Sequence, residues 1–215
     1  MDVFEFGDPG ADVVLVQPVN DLGLSRIEEE IKAIRERTDV PFRFIAAQVA
    51  DWNRDLSPWE APSVFGNEVF GSGAAGTLDG ILQLCGDIGR TYCIGGYSLA
   101  GLFALWAAFQ TDRFAGVAAA SPSVWFPGFA DYMRAHELKC GAVYLSLGTR
   151  EEKTNNRAMA AVGERIREAY ELLLDRGVTC TLEWNPGNHF RDAELRTAKA
   201  FAWTIGTIQG QRAII

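Results

Sequence analysis

Three side chains in this sequence have the types that nucleophilic catalysis needs, and they stand far apart: Ser98, Glu151 and His189. A serine hydroxyl attacks a carbonyl only when a base takes its proton, and an imidazole does this near neutral pH. A carboxylate on the other ring nitrogen then fixes the tautomer and stabilises the imidazolium. Ser98 lies in Gly95-Gly96-Tyr97-Ser98-Leu99-Ala100-Gly101, after the apolar run Tyr92-Cys93-Ile94 and before Leu102 to Ala108, which is apolar over helical length. That order reads as strand, sharp turn and helix, the arrangement that lifts a nucleophile clear of a sheet. Gly96 and Ala100 hold the two positions where strand and helix crowd together, so the usual G-x-S-x-G becomes G-x-S-x-A, a change of one methyl group.

His189 sits in Asn185-Pro186-Gly187-Asn188-His189-Phe190, a loop whose glycine and asparagines permit a tight turn. His136 is the other histidine and lies in a polar stretch, as expected of a surface residue. Glu151 and Glu152 both follow the apolar run Ala142 to Leu147; Glu151 is preferred as the acid, and Asp192 is a third candidate. An oxyanion needs two donors. One is expected from the Leu99 N–H, and the other from the loop after Val16, where Pro18 has no N–H, so Val19 is favoured and Asn20 comes next. Tyr97, Trp52, Trp125 and Phe126 are candidates for a substrate pocket; Trp59 and Phe65 would line it or anchor its loop.

The elements that must position these groups alternate. Val3 to Phe6 reads as an edge strand, Asp12 to Val16 and Phe42 to Val49 as buried strands, and Ile27, Ile31 and Ile34 as a helix face opened by a Ser25/Glu28 capping box. Residues 50–76 form a long loop, and Gly71 to Gly76 spells G-x-G-x-x-G. That motif lacks the leading strand and following acid of a dinucleotide site, so it reads as an approach to a helix from Thr77 to Leu84. Strands over Phe114 to Ala120, Ala142 to Leu147 and Thr179 to Trp184 follow. One helix carries Met159, Val162, Ile166, Ala169, Tyr170 and Leu173, and a closing helix carries Leu195, Ala198, Ala202, Ile205 and Ile208. Such alternation predicts an α/β fold, a mostly parallel sheet with helices on both faces. Ser98, Glu151 and His189 each follow a strand, so all three converge on one edge, where crevices open.

At 215 residues the chain suits a single domain spanning 1–215. The net charge of -8 argues against nucleic acid or an anionic membrane as partner. Met1 to Phe6 shows no basic-then-apolar leader and no uncharged run would span a bilayer, so a cytoplasmic location is expected. Four separated cysteines and two histidines predict buried thiols, with no metal and no cofactor. Oligomeric state leaves no mark on the sequence.

With GGYSLAG at the turn, SPSVWF after the next strand, LGTREE at the acid and PGNHF at the histidine, the chain resembles the esterase family of α/β-hydrolases that includes esterase D, feruloyl esterases and enterochelin esterases. The resemblance covers roughly Val13 to Ile208 and implies an α/β-hydrolase fold with nucleophile Ser98, acid Glu151 and base His189. Gln17-Pro18 stands where relatives often have His-Gly, and no insertion is long enough for a lid. The expected activity is hydrolysis of a small-molecule acyl ester through an acyl-enzyme. Transfer of the acyl group to another acceptor, or a silent binding protein of the same fold, are the alternatives.

Overall fold

The computed structural model of the chain describes residues 1–64, 69–154 and 156–210; Phe65, a candidate pocket residue, lies outside them. Its strands are β1 (Asp2–Gly7), β2 (Val13–Val19), β3 (Phe42–Gln48), β4 (Thr91–Tyr97), β5 (Phe114–Ala120), β6 (Ala142–Gly148) and β7 (Thr179–Asn185). They form one sheet in the order β1-β3-β2-β4-β5-β6-β7, parallel except for β1, which pairs antiparallel with β3. β1 is the edge strand expected over Val3 to Phe6, one residue longer at each end.

Helices cover both faces because successive side chains of a buried parallel strand go to opposite sides, and both must be apolar. On β2, Val13, Leu15 and Val19 pack with α2 (Ile27–Arg35) and α9 (Ala193–Ile208), while Val14 and Val16 pack with α4 (Ala74–Leu84) and α5 (Leu99–Gln110). α5 is buried from Leu99 to Phe109, so it is apolar on every side. The short helices α1 (Asp21–Ser25), α3 (Trp52–Asp55), α6 (Phe129–Ala135) and α7 (Arg157–Ala160) lie in connections, and α8 (Val162–Asp175) packs on β6 and β7.

Several local expectations change. β2 does not stop at Val16 but runs on to Val19 along β3. Its pairing with β4 ends at Val16, so Pro18 lies beyond the stretch where β4 would need its missing N–H. The Ser25/Glu28 box does not form: Asn20 caps α1 by accepting from Gly23 N–H at 2.9 Å, and Ser25 Oγ donates to the Leu22 carbonyl at 2.7 Å. The helix after Gly76 starts earlier than expected, at Ala74, and Gly71 to Gly76 reaches it from a loop and not from a strand. α6 is a helix the sequence pattern did not reveal. In α9 Leu195 is 37% exposed; the buried face holds Arg196, Ala200, Phe201 and Thr204 besides Ala198 and Ile205, because the helix is wedged between α2 and strands β4 to β6.

Candidate active site

Ser98 takes φ 59° and ψ -118°, between the end of β4 and the start of α5. A positive φ is costly for a residue with a Cβ, so the neighbours must hold it. They do so through the backbone: Ser98 N–H donates to Ala120 O at 3.1 Å, and Ser98 O accepts from Leu102 and Ser123 N–H, each at 3.0 Å. A Cβ on Gly96 would stand 2.6 Å from Ala100 Cβ, so with alanine at 100 the turn closes only over glycine at 96. Ser98 Oγ is thereby presented 2.9 Å from His189 Nε2, with Ser123 Oγ at 3.3 Å.

The acid comes from the turn after β6. Glu151 N–H donates to Gly148 O at 3.0 Å, and Gly148 N–H donates back to Glu151 Oε1 at 2.7 Å, which folds the carboxylate under the strand end. A Cβ on Gly148 would lie 2.6 Å from Gly187 O, so the acid turn and the histidine loop touch only because that residue is glycine. Glu151 Oε2 accepts from His189 Nδ1 at 2.7 Å, which leaves Nε2 as the acceptor for the Ser98 hydroxyl. Of the three candidate acids, the structure brings only Glu151 to His189. Glu152 turns to Arg167 at 3.4 Å, and Asp192 pairs with Arg191 at 3.2 Å on the surface. His136 is exposed and stacks on Tyr132.

Arg196 is the site residue that the sequence did not reveal. It is 1% exposed and ties the acid to the histidine loop. Nη1 donates to Glu151 Oε1 at 2.8 Å, to Tyr97 Oη at 3.1 Å and to Ser121 Oγ at 3.2 Å; Nη2 donates to the carbonyls of Pro186 and Asn188 at 3.1 and 3.0 Å. Ser121 Oγ adds a donor to Glu151 Oε1 at 2.8 Å, and Tyr97 Oη donates to His189 O at 2.7 Å. Burial works to raise the Glu151 pKa, but the hydrogen bond and charge of His189, with the Ser121 and Gly148 donors, outweigh it and hold the carboxyl below its ordinary value. Burial and the Glu151 charge push the Tyr97 phenol up to about 12, so it stays a donor to the histidine loop.

Two cavities flank Ser98. One, of about 270 Å³, is walled by Gln17 to Asn20, Glu30, Trp52, Tyr97, His189 and Phe190. The other, of about 240 Å³, is walled by Trp52, Asn53, Phe70, Leu99, Ser123 and Trp125. Trp52 and Ser98 belong to both, and Tyr97 and Trp125 each line one. Phe126 is corrected: it is 2% exposed and packs edge-on against Trp59 and Phe70, so it is core beneath the site and not its wall. Trp59 anchors its loop by donating from Nε1 to Pro127 O at 2.8 Å.

The Leu99 N–H opens α5, where first-turn amides have no intrahelical acceptor. Val19 is corrected as the second donor. Its carbonyl accepts from Val49 N–H at 3.0 Å, and in a strand one residue's N–H and C=O point the same way, so the Val19 amide faces β3 and not Ser98. The opposite parity holds for even positions: Asp12 O accepts from Thr91 N–H at 2.8 Å, on the β4 side. Among the described residues, no cluster of three or more His, Cys, Asp or Glu could hold a metal, and no helix is long and apolar enough to cross a membrane.

No protein-family model matches the chain, and no curated protein matches it in sequence. Solved structures do match. An IroE-like serine hydrolase from Shewanella oneidensis superposes with a TM-score of 0.75 at 13% identity, covering 94% of this chain and 74% of that one. A siderophore hydrolase, EstA, from Aspergillus nidulans gives 0.64 at 20%, covering 96% and 86%. The enterochelin esterase of Shigella flexneri gives 0.65 at 16%, covering 94% of this chain, which spans 54% of that longer protein. The parallel sheet, the turn at Ser98 and these superpositions together show that the chain has the α/β-hydrolase fold.

Proposed function

We propose that the protein is a serine hydrolase that cleaves a carboxylic ester of a small acyl group through a covalent intermediate on Ser98. The observation that carries this reading is the unbroken line of contacts from Ser98 Oγ to His189 at 2.9 Å and from His189 to Glu151 at 2.7 Å. As Ser98 Oγ bonds to the ester carbonyl, its proton passes to His189 Nε2, and the imidazolium is stabilised by Glu151. The C–O bond to the alcohol then breaks, and the same proton goes to the departing oxygen. Water attacks the acyl-enzyme with His189 as base, releases the acid and returns the proton to Ser98.

The oxyanion is held by the Leu99 N–H and, by the parity of β2, by the Asn20 N–H. Asn20 is extended, with φ -101° and ψ -177°, so by strand parity its amide faces the opposite side from that of Val19, the side of β4, and Asn20 lines the same cavity as Ser98. The superposing proteins, a serine hydrolase, a siderophore hydrolase and an enterochelin esterase, fit ester chemistry at such a site. The test is turnover of p-nitrophenyl acetate and butyrate by wild type and Ser98→Ala. Wild type should release product, and the variant should lose about 10⁴-fold or more; equal rates would refute the reading. Product analysis with an added alcohol separates hydrolysis from acyl transfer.

A further inference from the structure

The β2 stripe that packs against α2 and α9 is apolar at Val13, Leu15 and Val19 but polar at Gln17, which is 6% exposed. The facing side of α2 buries Ile27, Ile31 and Ile34 and, among them, Glu30, which is 4% exposed. The two polar residues meet: Gln17 Nε2 donates to Glu30 Oε2 at 3.2 Å. Yet Gln17 Oε1 and Glu30 Oε1, both buried, have no hydrogen-bond partner. Two orphaned oxygens on one contacting pair are costly if both are acceptors. A single proton on Glu30 removes the conflict, because it turns one acceptor into a donor for the other.

We propose that Glu30 is a positioning residue, held as the neutral acid, whose O–H is donated to the Gln17 side-chain carbonyl and so fixes the strand end that carries the Asn20 oxyanion donor. This rests on the hydrolase reading above and extends it to the pH dependence of that site. Gln17 lies three residues before Asn20, and both line the cavity beside Ser98. The charged groups facing Glu30 favour the neutral form. Glu194 of α9 adds negative charge, Arg26 is committed to Glu194 at 2.9 Å, and β2 presents only the neutral Gln17. Burial, opposed by the Gln17 hydrogen bond and aided by Glu194, brings the Glu30 pKa to about 8. Above that pH the proton leaves to solvent, the O–H donor is lost, and a buried charge without a cation forces the pair apart.

The test is the rate at which a fluorophosphonate probe labels Ser98 between pH 6 and 10, since its phosphoryl oxygen needs the same donors. Wild-type labelling should fall on the alkaline side with a midpoint near 8, by about tenfold per pH unit beyond it. Glu30→Gln keeps a neutral amide there, offering one donor and one acceptor, and should lose that alkaline limb. A wild-type profile flat to pH 10, or the same limb in Glu30→Gln, would overturn the assignment while leaving the hydrolase reading intact. The wild-type profile decides alone if the variant does not fold. Failure to label wild type at any pH would instead remove the hydrolase reading, and the positioning role with it.

Discussion

Two buried glutamates stand on either side of Ser98, and they are opposites. Glu151 Oε1 receives the Gly148 amide, the Ser121 hydroxyl and the Arg196 guanidinium, and Oε2 receives His189. Glu30 receives one neutral amide. The first carboxyl is held below its ordinary pKa and the second is raised to about 8, although both are nearly inaccessible to water. Burial alone therefore does not decide the charge of a carboxyl; the number and charge of its donors does. One fold thus keeps an ionised group under the histidine and a neutral one behind the oxyanion segment.

The contrast between the two carboxyls is tested most severely by making one substitution twice. Glu151→Gln removes the charge that orients and stabilises His189 and should lower kcat by about 10⁴-fold, as expected when the imidazole is left in the wrong tautomer. Glu30→Gln preserves a neutral group and should cost at most about tenfold at pH 7. Comparable losses from the two would contradict the difference in charge.

Arg196 gives the next largest effect. Arg196→Met leaves a buried carboxylate without its cation and two loop carbonyls without their donor, and should destabilise the fold by about 3–5 kcal/mol in urea unfolding. A loss under about 1 kcal/mol would show that the Glu151 side does not depend on it.

Stability against pH should separate the glutamates by sign. Glu30 is raised from its ordinary 4.5 to about 8, so its contribution is complete below 4.5 and is lost as pH rises through 8. Wild type should therefore lose stability relative to Glu30→Gln between those values, by about 1.4 kcal/mol per pH unit and on the order of 5 kcal/mol in all. Glu151 is lowered, so its contribution is present above 4.5 and is lost as pH falls through its folded value; Glu151→Gln should lack that acidic loss. The smallest effect belongs to Ala100, which packs on Gly96 away from both carboxyls: Ala100→Gly should cost about 1 kcal/mol of helix stability, measured by thermal unfolding.

Much of the triad's placement was legible because it is local or periodic. The turn at Ser98 is written in adjacent glycines and a serine between two apolar runs, Glu151 follows the continuous apolar run of β6, and His189 follows the β-branched and aromatic stretch of β7. Arg196 was not legible, because an arginine on an amphipathic helix ordinarily faces water, and only the tertiary fold puts five acceptors around it. Gln17 misled in the same way: a polar residue before a proline reads as loop, whereas β3 continues the ladder past it. Val19 looked like a donor by elimination, but amide direction depends on which neighbour its carbonyl pairs with, and that is set across the sheet. Phe126 could not be told from Trp125 until the core beneath the site was in view.

Every step of the proposed reaction requires Ser98 to be a nucleophile activated by His189. Peptide mapping by mass spectrometry after exposure to a fluorophosphonate tests it directly. One adduct is expected, on the peptide containing Ser98, lost in Ser98→Ala and formed far more slowly in His189→Ala. An unmodified Ser98 peptide in wild type, or labelling as fast without His189 as with it, would contradict it.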